Sequence, residues 1–466
     1  MADKQRRSDT RARGTAGDPN AGPSRERVAD EGRPKIGLAL AGGGPQGAVY
    51  EIGALLALEE AVEGVDWNDL HVYVGLSAGA FVGSCLANQI PLRGMCEALV
   101  AADGRHAPFN PRMFFTPAVE EFFQRVGMLP RLFAESVWYY VTHPTDLTLP
   151  EALLRMSRGL PVGAFASEPI HLYLEKLFSR QGRTNDFRSL DHHLVVVAAD
   201  LDSGRAVRFG EPGWDHVPIS RAVQASAALP GIYTPVEIEG RSYVDGVLIK
   251  TLHASVALDA GAELVFCINP LVPIDTARAV EAGIMERGKL KDRGLPSVLA
   301  QTLRTMIRSR LQTGLDAYAT RYQGADVLLF EPRHDDYRMF FTNIFSFSQR
   351  RAVCEHAYRR TRRNLLARRE ELEPILERHG LGLQIDVLED RSRNLWGPVD
   401  TAAVRRAARR RRRRLPTAGG TVERFDQALD RLERYLDGES LDRTDARSDD
   451  DSPEGHRRRF RVIEAS

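Results

Sequence analysis

The chain has 466 residues, 43% of them apolar and 27% charged, with a formal net charge of +1. That length holds two or three average domains, or one large α/β domain with additions. A balance so close to neutral excludes a uniformly basic chain, so no nucleic-acid partner is expected. No run approaches the roughly 18 apolar residues of a membrane-spanning helix.

The four cysteines, Cys85, Cys96, Cys267 and Cys354, lie far apart with no CxxC or metal-ligand spacing. They read as buried free thiols in a reducing compartment, and neither a metal nor a cofactor is expected. The opening MADKQRRSDTRARG is charged without an apolar core, so no secretory signal is expected either. The expected location is cytoplasmic, with peripheral membrane contact as an option.

Residues 1–33 are polar and rich in Gly, Ala and Pro, the composition of a disordered tail. IGLALA (36–41) then reads as a buried strand running into Gly42, Gly43 and Gly44. A helical pattern follows through Val49, Ile52, Leu55, Leu56 and Leu58. LHVYVG (70–75) is a second strand and SAGAFVGSCLA (77–87) a helix with a small-residue face. Strand, glycine loop, helix, strand, sharp turn, helix is the order of a parallel α/β sheet.

The segment 93–165 breaks that rhythm. It is rich in aromatics (Phe114, Phe115, Phe122, Phe123, Phe133, Trp138, Tyr139, Tyr140) and in prolines, with no clear strand. It is expected to be a helical cap inserted over the sheet. LVVVAADL (194–201) and AELVFCIN (262–269) are further strands. PISRAVQASAALPG (218–231) reads as a helix ended by Pro230 and Gly231, and TLHASVALDAG (251–261) as another closed by its glycine. Residues 276–391 turn helical and basic: Leu299, Leu303, Ile307, Leu311 and Leu315 share a face, and 350–380 reads as one long helix. Residues 392–466 are low-complexity, with Arg405, Arg406 and an arginine run at 409–414. The expected division is therefore 1–33 tail, 34–275 catalytic domain with the 93–165 insert, 276–391 helical extension and 392–466 charged tail.

Three local patterns carry chemistry. Gly75-Leu76-Ser77-Ala78-Gly79 is a G-x-S-x-G pentapeptide between a strand and a helix. A serine on that sharp turn projects its oxygen from the sheet, and the flanking glycines avoid clashes in the strained backbone. Gly42, Gly43 and Gly44 bring backbone N–H groups together on an anion, while Pro45 has no N–H to give. The alternatives, a plain tight turn or a nucleotide loop, fit less well, because the acidic partner of a dinucleotide fingerprint is missing. Tyr243-Val244-Asp245-Gly246 sets an acid at a strand end, preceded by the helix-to-loop segment 225–235.

Together these residues resemble the patatin-like phospholipase family, in its bacterial type with an extended helical C-terminal region. The family pattern is a GGGxRG-type loop, a GxSxG elbow, an ASxAxPxxFxP-like segment and a DG[GA] motif, and all four occur here in that order between about 35 and 270. The resemblance implies a three-layer α/β/α domain with a mainly parallel sheet. It also implies a metal-independent lipid acyl hydrolase, of phospholipase A or acyl-ester type. Ser77 would be the nucleophile and Asp245 its base in a dyad. Gly42, Gly43 and Gly44 would form the oxyanion hole, and Gly75 and Gly79 the elbow. Gln46 stands where the family usually has Arg or Lys, and Val247 where it has a small residue.

Two other readings compete. An α/β-hydrolase triad would need a histidine after the acid, for which His253 or His334 could serve. An inactive membrane-binding scaffold would use the basic regions, namely Arg304, Arg308 and the 405–414 run, to contact an anionic lipid surface.

Overall fold

The computed structural model describes residues 34–101, 116–142, 159, 161–250, 252–281, 289–292, 294–334, 336 and 349–396. The expected tail at 1–33 lies outside the described residues, as do residues 397–466 of the expected 392–466 tail and Phe114 and Phe115 of the expected cap, whereas 392–396 are described and Leu395 is buried in the core.

Apolar runs without a polar face form strands that need cover on both sides. In chain order they are β1 (Ile36–Leu40), β2 (Val62–Glu63), β3 (Val72–Leu76), β4 (Gly163–Phe165), β5 (His193–Asp200) and β6 (Ala206–Phe209). Then come β7 (Gly231–Tyr233), β8 (Val236–Ile238), β9 (Arg241–Asp245), β10 (Leu264–Ile268), β11 (Asp326–Phe330) and β12 (Gly382–Leu383). The main sheet has eight strands in the order β11-β10-β1-β3-β5-β9-β8, with β6 also paired to β5. From β11 to β5 the neighbours run parallel. β6, β9 and β8 join antiparallel, so the end that carries Asp245 is made of hairpins.

Side chains alternate across a strand, and here the alternation splits the core into two layers. Leu38, Leu40, Phe266 and Ile268 face the cluster built on α1 (Gly44–Ala61) and α2 (Ala78–Ala87). Ala39, Val265 and Cys267 face the other side, against helix Ala254–Asp259 and Leu311 and Tyr318 of helix Leu295–Arg321. This is the three-layer α/β/α arrangement expected. Ile52, Leu55 and Leu58 of α1 are fully buried. Each such side chain contributes about 1.5–3 kcal/mol relative to exposure.

The C-terminal helices pack on the same body. Helix Arg350–Ala367 presses so closely on α1 that a Cβ at Gly53 would lie 2.3 Å from the Cys354 carbonyl oxygen. β12 pairs with β2 beside it. The stretch read as one long helix is two, Arg350–Ala367 and Arg369–Arg378. Pro374 lies inside the second helix, where it removes the ladder bond to the Glu370 carbonyl, and does not itself account for the break at Arg368. The break at Arg368 lets the second helix bury Leu372 and Leu376.

The aromatic segment yields one long helix, Val119–Thr142, and one short strand, β4, where no strand was expected. Phe122, Phe123, Phe133 and Trp138 on the helix are exposed, Trp138 by 72%. The helix root is tied down by a bond from the Ala118 N–H to the Ala164 carbonyl, 3.1 Å. All four cysteines are buried and free. Among the described residues no helix is long and apolar enough to cross a membrane.

Candidate active site

The turn between β3 and α2 puts Ser77 at φ 53° and ψ −117°. A non-glycine residue there costs on the order of 1–3 kcal/mol and persists only where its surroundings hold it. Both flanking glycines are forced by contact. A Cβ at Gly75 would lie 2.5 Å from the Ala80 Cα, and one at Gly79 would lie 2.5 Å from the Leu40 carbonyl oxygen. The Gly79 N–H donates to the Ala41 carbonyl at 3.1 Å, tying the start of α2 to the end of β1. Ser77 itself is buried, 6% exposed, and lines a cleft.

Asp245 ends β9, whose antiparallel register with β5 sets it opposite Ala198. The Val247 N–H donates to its Oδ1 at 2.9 Å. Burial raises the carboxyl from 3.8 to about 7, against the pull of the Val247 N–H and of the nearby Ser77 hydroxyl. A carboxyl half-ionised near neutral pH, beside a serine hydroxyl, is suited to accept that hydroxyl's proton. The Val247 side chain fills the gap between Leu76 and Ile307. That explains a bulky residue where the family has a small one.

The glycine loop passes beside Ser77. A Cβ at Gly42 would lie 3.2 Å from the Ser77 Cβ and 3.8 Å from its Oγ. Among the described residues, no acceptor takes the N–H of Gly42, Gly43 or Gly44. Gln46 is buried on α1. The cleft holds about 610 Å³, counting its open mouth, and its walls are apolar: Pro45, Val49, Phe81, Leu99, Ile170 and Val223 among them. Among the described residues nothing charged lines it.

Neither nominated histidine reaches this site. His253 is buried between Leu252 and Ala254, which belong to the opposite layer of the core. Burial, aided by Lys250 and Arg208, pushes it down to about 3, so it is neutral. His334 bonds the Pro273 carbonyl at 3.1 Å in a separate polar cleft. No histidine is among the groups acting on Asp245.

Of the arginines read as a lipid-facing patch, Arg304 and Arg308 are spent internally, and the 405–414 run lies outside the described residues. Arg304 is buried, and burial lowers it to about 10. Arg308 pairs with Glu331, and Arg310 donates to the carbonyls of Leu248 and Ile249 at 3.0 and 2.9 Å. Helix Leu295–Arg321 uses Leu303 and Ile307 to cover Leu76 and Val247. Its leucine stripe is partly a cover for the site, although Leu299 stays 57% exposed.

Sequence reasoning missed Ser226, whose hydroxyl accepts a hydrogen bond from the Ser77 backbone N–H. A serine among the alanines of 225–228, at a helix end, was the available signal.

Comparison with known proteins finds partial matches. An uncharacterized NTE family protein of Mycobacterium tuberculosis is 30% identical over 115 residues, 25% of this chain and 27% of that protein. Lysophospholipase NTE1 of Coccidioides immitis is 26% identical over 238 residues, 50% of this chain and 11% of that protein. The match thus spans about a quarter or less of these relatives' own length. Among solved structures, VipD from Legionella pneumophila aligns at 13% identity and a TM-score of 0.30, over 70% of this chain and 67% of that one. A likeness that distant carries no argument. The family model described as patatin-like phospholipase matches residues 38–258, the stretch that supplies both Ser77 and Asp245. That stretch of the chain is a patatin-like phospholipase domain.

Proposed function

We propose that the chain is a serine-dependent lipid acyl hydrolase working through Ser77 and Asp245. The observation that carries this reading is a buried carboxyl, raised to about 7, beside a serine held in a strained elbow at an apolar cleft. Asp245 takes the hydroxyl proton as the Ser77 Oγ attacks the ester carbonyl carbon. The carbonyl oxygen becomes an oxyanion, and the Gly42–Gly44 amides are the donors for it. Collapse expels the alcohol, which carries off the proton from Asp245 and leaves an acyl-serine. Water then repeats the sequence and releases the acid.

The uncharged walls of the cleft suit an acyl chain and leave a polar head group at the mouth or beyond it. The exposed aromatic helix Val119–Thr142 supports contact with a lipid surface on that side: its root bonds β4, which pairs with β7, and Tyr233 of β7 lines the cleft. Residues 34–275 are taken as the catalytic unit and 276–391 as its helical extension.

An active-site-directed fluorophosphonate tests the reading. One label per chain is expected, located at Ser77, and absent from Ser77→Ala. Labelling that survives that substitution sinks the assignment.

A further inference from the structure

We propose that Ser226 is a positioning residue for the nucleophile, its hydroxyl standing as an inserted rung between the catalytic elbow and the central sheet. The proposal rests on the reading of Ser77 as the attacking group. β3 and β5 run parallel in register, and their last pair is Leu76 with Val197. One residue further, β3 has already turned into the positive-φ elbow. There the two chains are joined through a side chain. The Ser77 N–H donates to the Ser226 Oγ at 2.8 Å, and the Ser226 hydroxyl donates to the Val197 carbonyl at 2.6 Å.

Ser226 is fully buried at the last residue of helix Ile219–Ser226. Two residues on, the Ala228 carbonyl accepts the Asp245 N–H at 2.9 Å. Ala227 between them lines the cleft. Residues 226–228 therefore hold the backbone of both reacting groups and touch the cleft as well. The hydroxyl is the only part of this clamp that a side-chain change can remove, since the Ala228 contact is made by backbone.

The chemistry calls for such a rung. The elbow's dihedrals are costly, and a strained turn relaxes unless its N–H is held. A hydroxyl can accept from one backbone group and donate to another at once, which Ala, Val or Cys cannot match. Without it the Ser77 N–H and Val197 carbonyl are left buried and unpaired, and the elbow drifts towards an ordinary backbone conformation. The Oγ then moves relative to Asp245, which β9 holds independently. A displacement of about 1 Å in a reacting group can cost on the order of 100-fold in rate.

The test uses full-length protein and a soluble short-chain ester. Ser226→Ala is expected to lower kcat roughly 10- to 100-fold with KM changed by less than about twofold, and to slow fluorophosphonate labelling in parallel. Ser226→Thr, which keeps the hydroxyl, is expected to recover most of the lost kcat. The acid limb of the pH profile should stay where wild type has it, because Asp245 is untouched. Ser226→Cys fills the same space with a much weaker hydrogen-bonding group and makes the same test if Ser226→Ala does not fold. A Ser226→Ala protein with wild-type kcat overturns the proposal, and so do equal losses in the Ala and Thr variants. Activity persisting in Ser77→Ala would instead overturn the proposed function. Loss in Ser77→Ala with full activity in Ser226→Ala overturns the rung alone.

Discussion

Replacing Asp245 by Asn is expected to abolish hydrolysis and, at the same time, to stabilise the fold above neutral pH. Burial holds this carboxyl at about 7 against an ordinary 3.8. Between those two values the unfolded chain has released a proton that the folded chain keeps. Stability therefore falls as pH rises from about 4 to about 7 and is level beyond. A gap of about 3, at about 1.36 kcal/mol per pK unit, is about 4 kcal/mol, part of it already lost at pH 5. Asn has the same shape, cannot ionise, and keeps an oxygen for the Val247 N–H. The advantage of Asp245→Asn over wild type should widen by about 2–3 kcal/mol between pH 5 and pH 8. Urea unfolding of both proteins at the two pH values measures this, and comparing the pair cancels every other titrating group. An advantage of equal size at both values, or a variant less stable at pH 8, would refute the reasoning.

Three other outcomes are expected. Val223→Phe narrows the apolar cleft and should shift the preferred acyl chain to shorter lengths, read from kcat/KM over a series of p-nitrophenyl esters; an unchanged profile would mean the chain lies elsewhere. Gly79→Ala forces a Cβ into the end of β1 and should cost about 1–3 kcal/mol of stability, measured by thermal melting. Deleting residues 397–466 removes the arginine run and should spare hydrolysis of a soluble ester while weakening co-sedimentation with anionic vesicles, most at low salt.

What was legible in the sequence follows from which features are local. β1, β3, β5 and β10 could be read within a residue or two because strands covered on both faces must be apolar throughout. The elbow was legible because Gly75 and Gly79 are imposed by contacts within one turn and with the next strand. Asp245 was legible through its motif, but its raised carboxyl was not, since that depends on burial by distant segments.

The arginines of helix Leu295–Arg321 show the opposite case. Their spacing suits a cationic face, yet Arg304 is buried and Arg308 meets Glu331, a partner 23 residues away in sequence. Ser226 lies 149 residues from the backbone it holds, and no periodicity signals a single buried hydroxyl. The helix break at Arg368 was hidden because the proline of this stretch, Pro374, falls inside the second helix rather than at the break. The antiparallel end of the sheet was hidden because β8 and β9 are too short to show a period.

The measurement that bears most directly on the central claim is steady-state hydrolysis of a short-chain ester by wild type, Ser77→Ala, Asp245→Asn and the double variant. Groups acting as one unit are non-additive, so each single variant should lose nearly all activity and the double variant should be barely slower than either. In wild type, kcat/KM should rise with pH through about 7, following ionisation of Asp245. Near-wild-type turnover in Asp245→Asn, or losses that multiply in the double variant, would contradict a Ser77–Asp245 dyad.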